Sequence, residues 1–440
     1  MRIAIIGAGV SGLSAAYGLR ERHQITLFEQ AAYLGGHAHT VDVEIGGERQ
    51  AIDTGFIVFN DRTYPRFVAL LNELGVASQA TTMSFSVRCD QSDLEYNGTS
   101  LAGLFTQRKN LLRPGFYQML ADIVRFNRAA PALLAHSNDQ SDTDQITVGD
   151  YLNGAGYSRS FAEHYLLPLG SAIWSCPRET FENFPLRFII EFFQNHGLLN
   201  LRDRPTWRTV CGGSRRYVQA IADKLTGRIR LGASVAAVRR FSDRVEVICQ
   251  AAPPETFDHV IFACHADQAL RMLADPTPIE RDVLGAFPYE RNTAVLHTDT
   301  ALLPRRKRAW ASWNYRIGPD PQAPATVTYC MNILQRLTSQ HVFNVTLNGD
   351  DQINPQKVLG RFVYEHPVFT TRRAAAQARH GELINVRRSS FCGAYWRNGF
   401  HEDGVHSALV VCRALADSSP PRHAHEPVCV LQPETAPLAH

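Results

Sequence analysis

An α/β fold with two interleaved domains is what this sequence predicts, and three observations carry it. Residues 3–6 form a short apolar run suited to a buried parallel strand, and Gly7, Gly9 and Gly12 follow at once in G-x-G-x-x-G spacing. A second apolar run, 25–28, ends on Glu29, about twenty residues beyond the first glycines, as a dinucleotide-binding unit requires. At 440 residues the chain is long enough for two domains. The predicted architecture is a Rossmann-like nucleotide-binding domain interleaved with a mixed α+β substrate domain.

Each part of the opening unit has a physical task. Gly7 allows the tight turn out of the strand, Gly9 lets backbone N–H groups approach a pyrophosphate, and Gly12 lets the next helix pack close to the sheet. The candidate phosphate-binding segment is therefore Gly7-Ala8-Gly9-Val10-Ser11-Gly12, with the helix N-terminus facing the anion. Glu29, followed by Gln30, is placed to accept hydrogen bonds from a ribose. The glycine motif alone does not separate FAD from NAD.

A second glycine pair does. The stretch Glu29-x5-Gly35-Gly36-x3-Thr40 resembles the FAD-dependent amine oxidase and phytoene desaturase superfamily. The resemblance implies a Rossmann-like FAD-binding domain, bound FAD, and Gly35 and Gly36 running past its diphosphate. His37 stands where that superfamily usually has Arg. The resemblance further implies that Thr54 and Gly55 pass near the flavin ring and that the Val235 backbone meets the adenine. It also implies that a helix opening at Asp403, Gly404 and Val405 aims its N-terminus at the flavin pyrimidine edge, where a positive dipole end stabilises negative charge. Asp53-Thr-Gly-Phe, Trp310-Ala-Ser-Trp-Asn and Gly399-Phe-His-Glu-Asp-Gly carry a closer likeness to a bacterial subgroup of predicted NAD/FAD-binding proteins. Members of that subgroup are often encoded beside, or fused to, cyclopropane-fatty-acid-type methyltransferases.

The resulting division assigns 1–82, 206–270 and 385–416 to the FAD-binding domain. It assigns 83–205 to a helical part and 271–384 to a sheet part of the substrate domain, and 417–440 to a disordered tail rich in Pro, Ser and His. Within the first part, Gly46-Gly47 turns a hairpin and a helix runs over 64–74. Helices are predicted over 101–112 and 115–134, the second with a broad apolar face that includes Phe116, Met119 and Ile123 and has arginines beside it. Its plain reading is a core helix; the functional reading is contact with a lipid surface or tail. A polar loop is expected over 136–144, and Thr147 caps the next helix. Trp174, Phe188, Phe192, Phe193 and His196 offer either an aromatic lid or an ordinary core. Strands over 294–297, 309–315, 326–332 and 342–347 would build the substrate sheet, and 305–308 is an exposed basic turn.

Tyr395, Trp396, His401 and Glu402 are the candidates for groups near the substrate and are put forward as catalytic; helix capping is the plain reading of Glu402 and Asp403. The four lysines, Lys109, Lys224, Lys307 and Lys357, lack the apolar strand context suited to a base beside the flavin, which lowers an amine-oxidation reading. The cysteines form no C-x-x-C pair, so zinc and disulfides are not expected, nor is any metal. A net charge of +3 gives no nucleic-acid signature. The absence of a long apolar run argues against a spanning helix, and the strand at the N-terminus leaves no room for a signal peptide. Cytoplasmic residence follows, with peripheral contact at the inner membrane face as a further reading.

The function read from these features is FAD-dependent hydride removal from a lipophilic, acyl-chain small molecule, in lipid metabolism. The alternatives are a redox-neutral double-bond isomerase, an amine oxidase and a non-catalytic flavoprotein.

Overall fold

The computed structural model describes residues 1–135, 146–174, 176–200, 204–225, 227–250, 252–320 and 326–417. The expected loop over 136–144 and all but the first residue of the expected tail lie outside them. Five parallel strands form the nucleotide sheet, in the order Ile229–Arg230, Gln24–Phe28, Arg2–Ile6, His259–Phe262 and Ser389–Phe391. The chain therefore leaves this sheet and returns to it, as the resemblance implies. Successive side chains point to opposite faces of a strand. Ile3 and Ile5 accordingly pack with helices Val10–Leu19, Arg215–Ala222 and His401–Asp417. Ala4 and Ile6 pack on the other face with Phe28, Val260 and Phe262.

The second face changes the predicted domain limits. Helix Pro278–Leu284 and residues Ala376 and Leu383 join the core of the nucleotide sheet, not that of the substrate sheet. Arg240 fixes this arrangement: its buried guanidinium binds Glu280 and Asp275 and donates to the Ser389 hydroxyl. Residues 271–287 and 373–384 thus pack with the nucleotide domain, because their apolar side chains complete the sheet face that the first helices leave uncovered.

The substrate domain is built on a seven-stranded sheet, ordered Val358–Pro367, Tyr289–His297, Asn344–Leu347, Thr326–Cys330, Trp313–Ile317, Phe85–Cys89 and Leu94–Asn97. It is antiparallel except where Trp313–Ile317 runs parallel to Phe85–Cys89. Helix Pro114–Ala135 covers one face and buries Phe116 and Met119 against Val87, Tyr315 and Leu296. The predicted helix over 101–112 is two short pieces, Leu101–Leu104 and Arg108–Leu112, broken where Gln107 turns inward to the strand Leu94–Asn97. Trp174, Phe188, Phe192 and Phe193 form the core of the helical lobe with Phe181, Phe184 and Phe369. His196 caps helix Leu186–Asn195, its Nδ1 donating to the Phe192 carbonyl at 2.9 Å. The expected Thr147 cap is present, paired reciprocally with Asp150.

One buried carboxylate ties the domains together. Asp53, fully buried at the end of hairpin strand Glu48–Asp53, accepts from the Thr40 hydroxyl at 2.6 Å and from the Ser214 N–H and hydroxyl at 2.9 and 2.8 Å. Gln335 of the substrate domain receives the Asp53 N–H at 2.9 Å and donates to its Oδ2 at 3.1 Å. Burial lifts the Asp53 carboxyl to about 6 from 3.8, against the downward pull of Thr40 and Ser214. An acid raised on folding stabilises the folded state while protonated, fully so below 3.8 and no longer above about 6. Stability is therefore expected to fall as pH rises through that window, and Asp53→Asn to flatten the slope. Asp53→Ala should cost about 2–4 kcal/mol by leaving buried donors unpaired. Denaturant unfolding at pH values on either side of the window checks both; a slope retained in Asp53→Asn would refute the assignment.

Candidate cofactor and substrate site

The three glycines of the first turn are held for different reasons. Gly7 has φ +101°, and a Cβ there would stand 2.9 Å from the Ala263 carbonyl oxygen. A Cβ on Gly12 would stand 1.9 Å from the Gly7 oxygen, so the helix lies as close to the turn as backbone permits. Gly9 is different: its φ is −71°, and a Cβ there would meet no protein atom within 4 Å. That is open space at the N-terminus of helix Val10–Leu19, which carries no side-chain cap. First-turn N–H groups without partners in their own helix are an anion site. These features fit a dinucleotide pyrophosphate.

Glu29 secures the turn. Its Oε2 accepts the Ala8 N–H at 2.8 Å and its Oε1 accepts the Ala31 N–H at 2.9 Å. A carboxylate has lone pairs beyond these two, so Glu29 can also receive ribose hydroxyls. Its carbonyl accepts the Ala233 N–H, which brings the strand of Val235 alongside; Gln30 is exposed. The second glycine pair closes on the first: Gly35 donates to the Ala8 carbonyl at 2.9 Å, and a Cβ on Gly36 would stand 3.3 Å from Gly9 Cα. The last segment also arrives here. A Cβ on Gly404 would meet Val10 Cγ1 at 2.6 Å and Ser11 Oγ at 2.8 Å, and Val405 is buried in the same core. Segments around Gly9, Gly35 and Gly404 thus converge, as the resemblance implies. Asp403 is occupied as a cap, accepting the Asn398 and Phe400 N–H groups at 3.2 and 2.9 Å, and burial raises it to about 6.

Beside this cradle the nucleotide domain meets the substrate sheet. Phe362, Tyr364 and His366 alternate along strand Val358–Pro367, and their face meets His37 and His39. The Tyr364 hydroxyl lies 2.7 Å from Thr54 Oγ1 and 3.0 Å from His39 Nδ1. His366 Nδ1 lies 3.0 Å from Asn292 Nδ2, which must be the donor. His37 Nε2 is buried with no hydrogen-bond partner among the described residues. Gly55 leaves room for its backbone, since a Cβ there would fall 2.3 Å from the His37 carbonyl oxygen. Burial holds His37 well below the ordinary imidazole range, helped by His366 and His265, and brings His366 down to about 4. The junction therefore presents neutral imidazoles and a phenol at neutral pH. Glu290 pairs with His366 in register, and its Oε2 is also buried without a partner among the described residues.

The residues put forward as catalytic do not come together. Tyr395 and Trp396 lie in the core on one face of the nucleotide sheet, against Phe287, with Trp396 stacked on His380 at 3.9 Å. His401 lies on the other side, its ring stacked 3.4 Å from Phe56 and its Nε2 2.9 Å from the Tyr217 hydroxyl; burial brings it to about 3. Gly399, at φ +91°, turns the chain between the two pairs. Glu402 accepts the Arg66 and Phe67 N–H groups at 3.0 and 2.9 Å and the Arg66 guanidinium at 3.1 Å, so it caps helix Pro65–Glu73. Tyr364, His366, Asn292 and Glu290 are the junction residues that sequence reasoning missed. The alternation Phe362, Tyr364, His366 was the available signal. Among the described residues no group of side chains could hold a metal ion.

Comparison with known proteins agrees with this fold. The family model described as flavin containing amine oxidoreductase matches residues 10–308. A Mycobacterium tuberculosis protein named as a flavin-containing monoamine oxidase, AofH, is 25% identical over 259 residues, covering 56% of this chain and 53% of that one. The chain thus spans about half the length of the curated relatives it matches. Cyclohexylamine oxidase from Brevibacterium oxydans IH-35A superimposes with a TM-score of 0.69 at 14% identity, over 95% of this chain and 99% of its own. A fatty acid isomerase from P. acnes that produces CLA superimposes with a TM-score of 0.65 at 15% identity, over 94% and 98%.

Gly9→Ala separates ligand from fold. The protein has room for the methyl group and φ suits alanine, so the melting temperature without FAD should be unchanged, while FAD affinity should fall at least about tenfold. Unaltered affinity in a fluorescence titration would show that the space is not the pyrophosphate's. Glu29→Ala should weaken FAD by about 1–3 kcal/mol through loss of the Ala8 tether as well as the ribose contact; full FAD occupancy at wild-type affinity would count against this role.

Proposed function

The chain belongs to the flavin containing amine oxidoreductase family, and on that premise we propose that it is an FAD-dependent oxidoreductase that removes hydride from a lipophilic small molecule. The observation that carries the cofactor part is the open space at Gly9 beside an uncapped helix and a tethered Glu29. Bound FAD supplies the hydride acceptor. The chain's own part is to bind and orient. The N-terminus of helix Val10–Leu19 would hold the diphosphate, Glu29 the ribose, and His37 Nε2 would donate to or accept from the bound group.

The substrate reading rests on the character of the junction. His37, His39, His366, Tyr364 and Thr54 offer uncharged hydrogen-bonding groups in a buried setting, which suits a neutral molecule better than an ammonium ion. The lysines lie elsewhere: Lys109 pairs with Asp93, Lys357 with Asp299, Lys307 lies over Trp310 and Lys224 is exposed. Glu290 favours the second reading, amine oxidation. Its partnerless Oε2 could receive a substrate cation where the sheet meets the helical lobe; after burial, its charge is what raises the Cys176 thiol. The same framework also suits a redox-neutral isomerase, the activity named for the P. acnes neighbour.

Anaerobic absorbance of the FAD-loaded protein, titrated with phospholipid extract and separately with amines, distinguishes these readings. Loss of the flavin bands with lipid alone is the expected outcome, and it should be insensitive to Glu290→Gln. Loss with amines alone, abolished by Glu290→Gln, would replace the lipophilic reading. Lipid turned over without loss of the bands would establish the isomerase.

A further inference from the structure

We propose that the corner of the substrate domain made by residues 101–117 and the basic turn 305–308 is a docking face for an anionic lipid bilayer. The side chains there are arranged opposite to a solvated surface. Leu112 is 87% exposed, Leu101 76% and Leu111 50%, with Tyr117 beside them at 46%. Two polar side chains of the same stretch, Gln107 and Asn110, point inward. Asn110 is fully buried and donates to the Glu95 carbonyl at 3.0 Å, and Gln107 accepts the Glu95 N–H and donates to the Asp93 carbonyl. Tyr117 donates to the Leu111 carbonyl at 3.1 Å. The outward leucines are thus fixed by buried hydrogen bonds, and large apolar side chains held outward in this way mark an interaction surface.

Charge identifies the occupant. Arg108 and Lys109 adjoin the leucines, and segment Lys307–Ala309 packs against Leu101–Leu104, which brings Lys307 and Arg308 to the same corner. Both segments are fastened at Asp93, which pairs with Lys109 at 3.2 Å and with Arg305 at 3.7 Å. The nearby carboxylate of Asp90 is taken up by Arg88, Arg316 and Arg305. Arg108 and Arg308 have no carboxylate partner among the described residues. Exposed leucines beside Arg108 and Arg308, which no carboxylate among the described residues neutralises, match an anionic bilayer, with the leucines in the headgroup–acyl boundary and the arginines on lipid phosphates. Among the described residues no helix is long and apolar enough to cross a membrane, so the contact is peripheral. The proposal stands apart from the substrate reading, since docking needs no turnover.

Flotation of the FAD-loaded full chain tests it, with vesicles of phosphatidylcholine alone and of phosphatidylcholine mixed with phosphatidylglycerol. The protein should float with the mixed vesicles, much less with phosphatidylcholine, and less again at high salt. Leu111→Ser/Leu112→Ser should lower the bound fraction about tenfold, with flavin absorbance and melting temperature kept. Arg108→Glu/Arg308→Glu should do the same. Ile279→Ser, at an exposed apolar position elsewhere, should change nothing. Absence of flotation, flotation unaltered in the leucine variant, or an equal loss in Ile279→Ser would overturn the proposal. So would light scattering that finds a dimer abolished by Leu111→Ser/Leu112→Ser, because the face would then be an interface between two copies.

Discussion

Asp53 receives hydrogen bonds from the chain on its own hairpin, from the second return of the nucleotide domain at Ser214, and from Gln335 in the substrate domain. The hairpin ladder, the Arg215–Asp42 pair and the bonds from Gln50 and Gln79 to the 335–338 segment hold the same three segments around it. A carboxylate removed from water is tolerated only when its lone pairs are filled, so each donor is obligatory once the others are in place. The adjoining Thr54 then falls beside Tyr364 and His39, and the glycine cradle is set at a fixed distance from the substrate sheet. The geometry of the junction follows from this one buried group and its donors.

The cradle shows a second constraint, that of backbone against backbone. The helices Val10–Leu19 and His401–Asp417 touch through Gly404, and Gly18 brings the Cys412 sulfur within 3.2 Å of where a Cβ would lie. Close crossing of the two helices brings both N-termini to the glycine cradle. Glu402 and Asp403, at the start of the second helix, are taken up by N–H groups outside it, Glu402 at the N-terminus of helix Pro65–Glu73 and Asp403 on Asn398 and Phe400.

Much of this was legible in the sequence because it is written in backbone requirements. Gly7 and Gly12 report a turn and a packing distance, and both read the same way in the structure, where Gly9 faces open space. The Gly46-Gly47 hairpin and the Thr147 cap were legible for the same reason. What the sequence concealed is of another kind. Strand Val358–Pro367 presents Phe362, Tyr364 and His366 inward against Arg361, Val363 and Glu365 outward, so its buried face is partly polar and apolar alternation does not announce it. Tyr395 and Trp396 stand a few residues from His401, yet a left-handed turn at Gly399 sends the pairs to opposite sides of the sheet. Separation along the chain carries no information about which face a residue takes. The aromatic residues of the helical lobe were ambiguous for a simpler reason, since a lobe of this size needs a core of its own.

The nucleotide sheet takes its edge strand from Ser389–Phe391 and its second helix N-terminus from His401–Asp417. During synthesis, the glycine turn emerges long before the Ser389–Phe391 strand and the Gly404 segment that join it. Contacts of such long sequence separation form slowly, because loop-closure entropy must be overcome before they repay it. In the interval Ile3, Ile5 and Leu13 are without the helix that covers them. Until those contacts form, the apolar faces of Ile3 and Ile5 stay uncovered, the kind of exposure that makes a folding intermediate prone to aggregate.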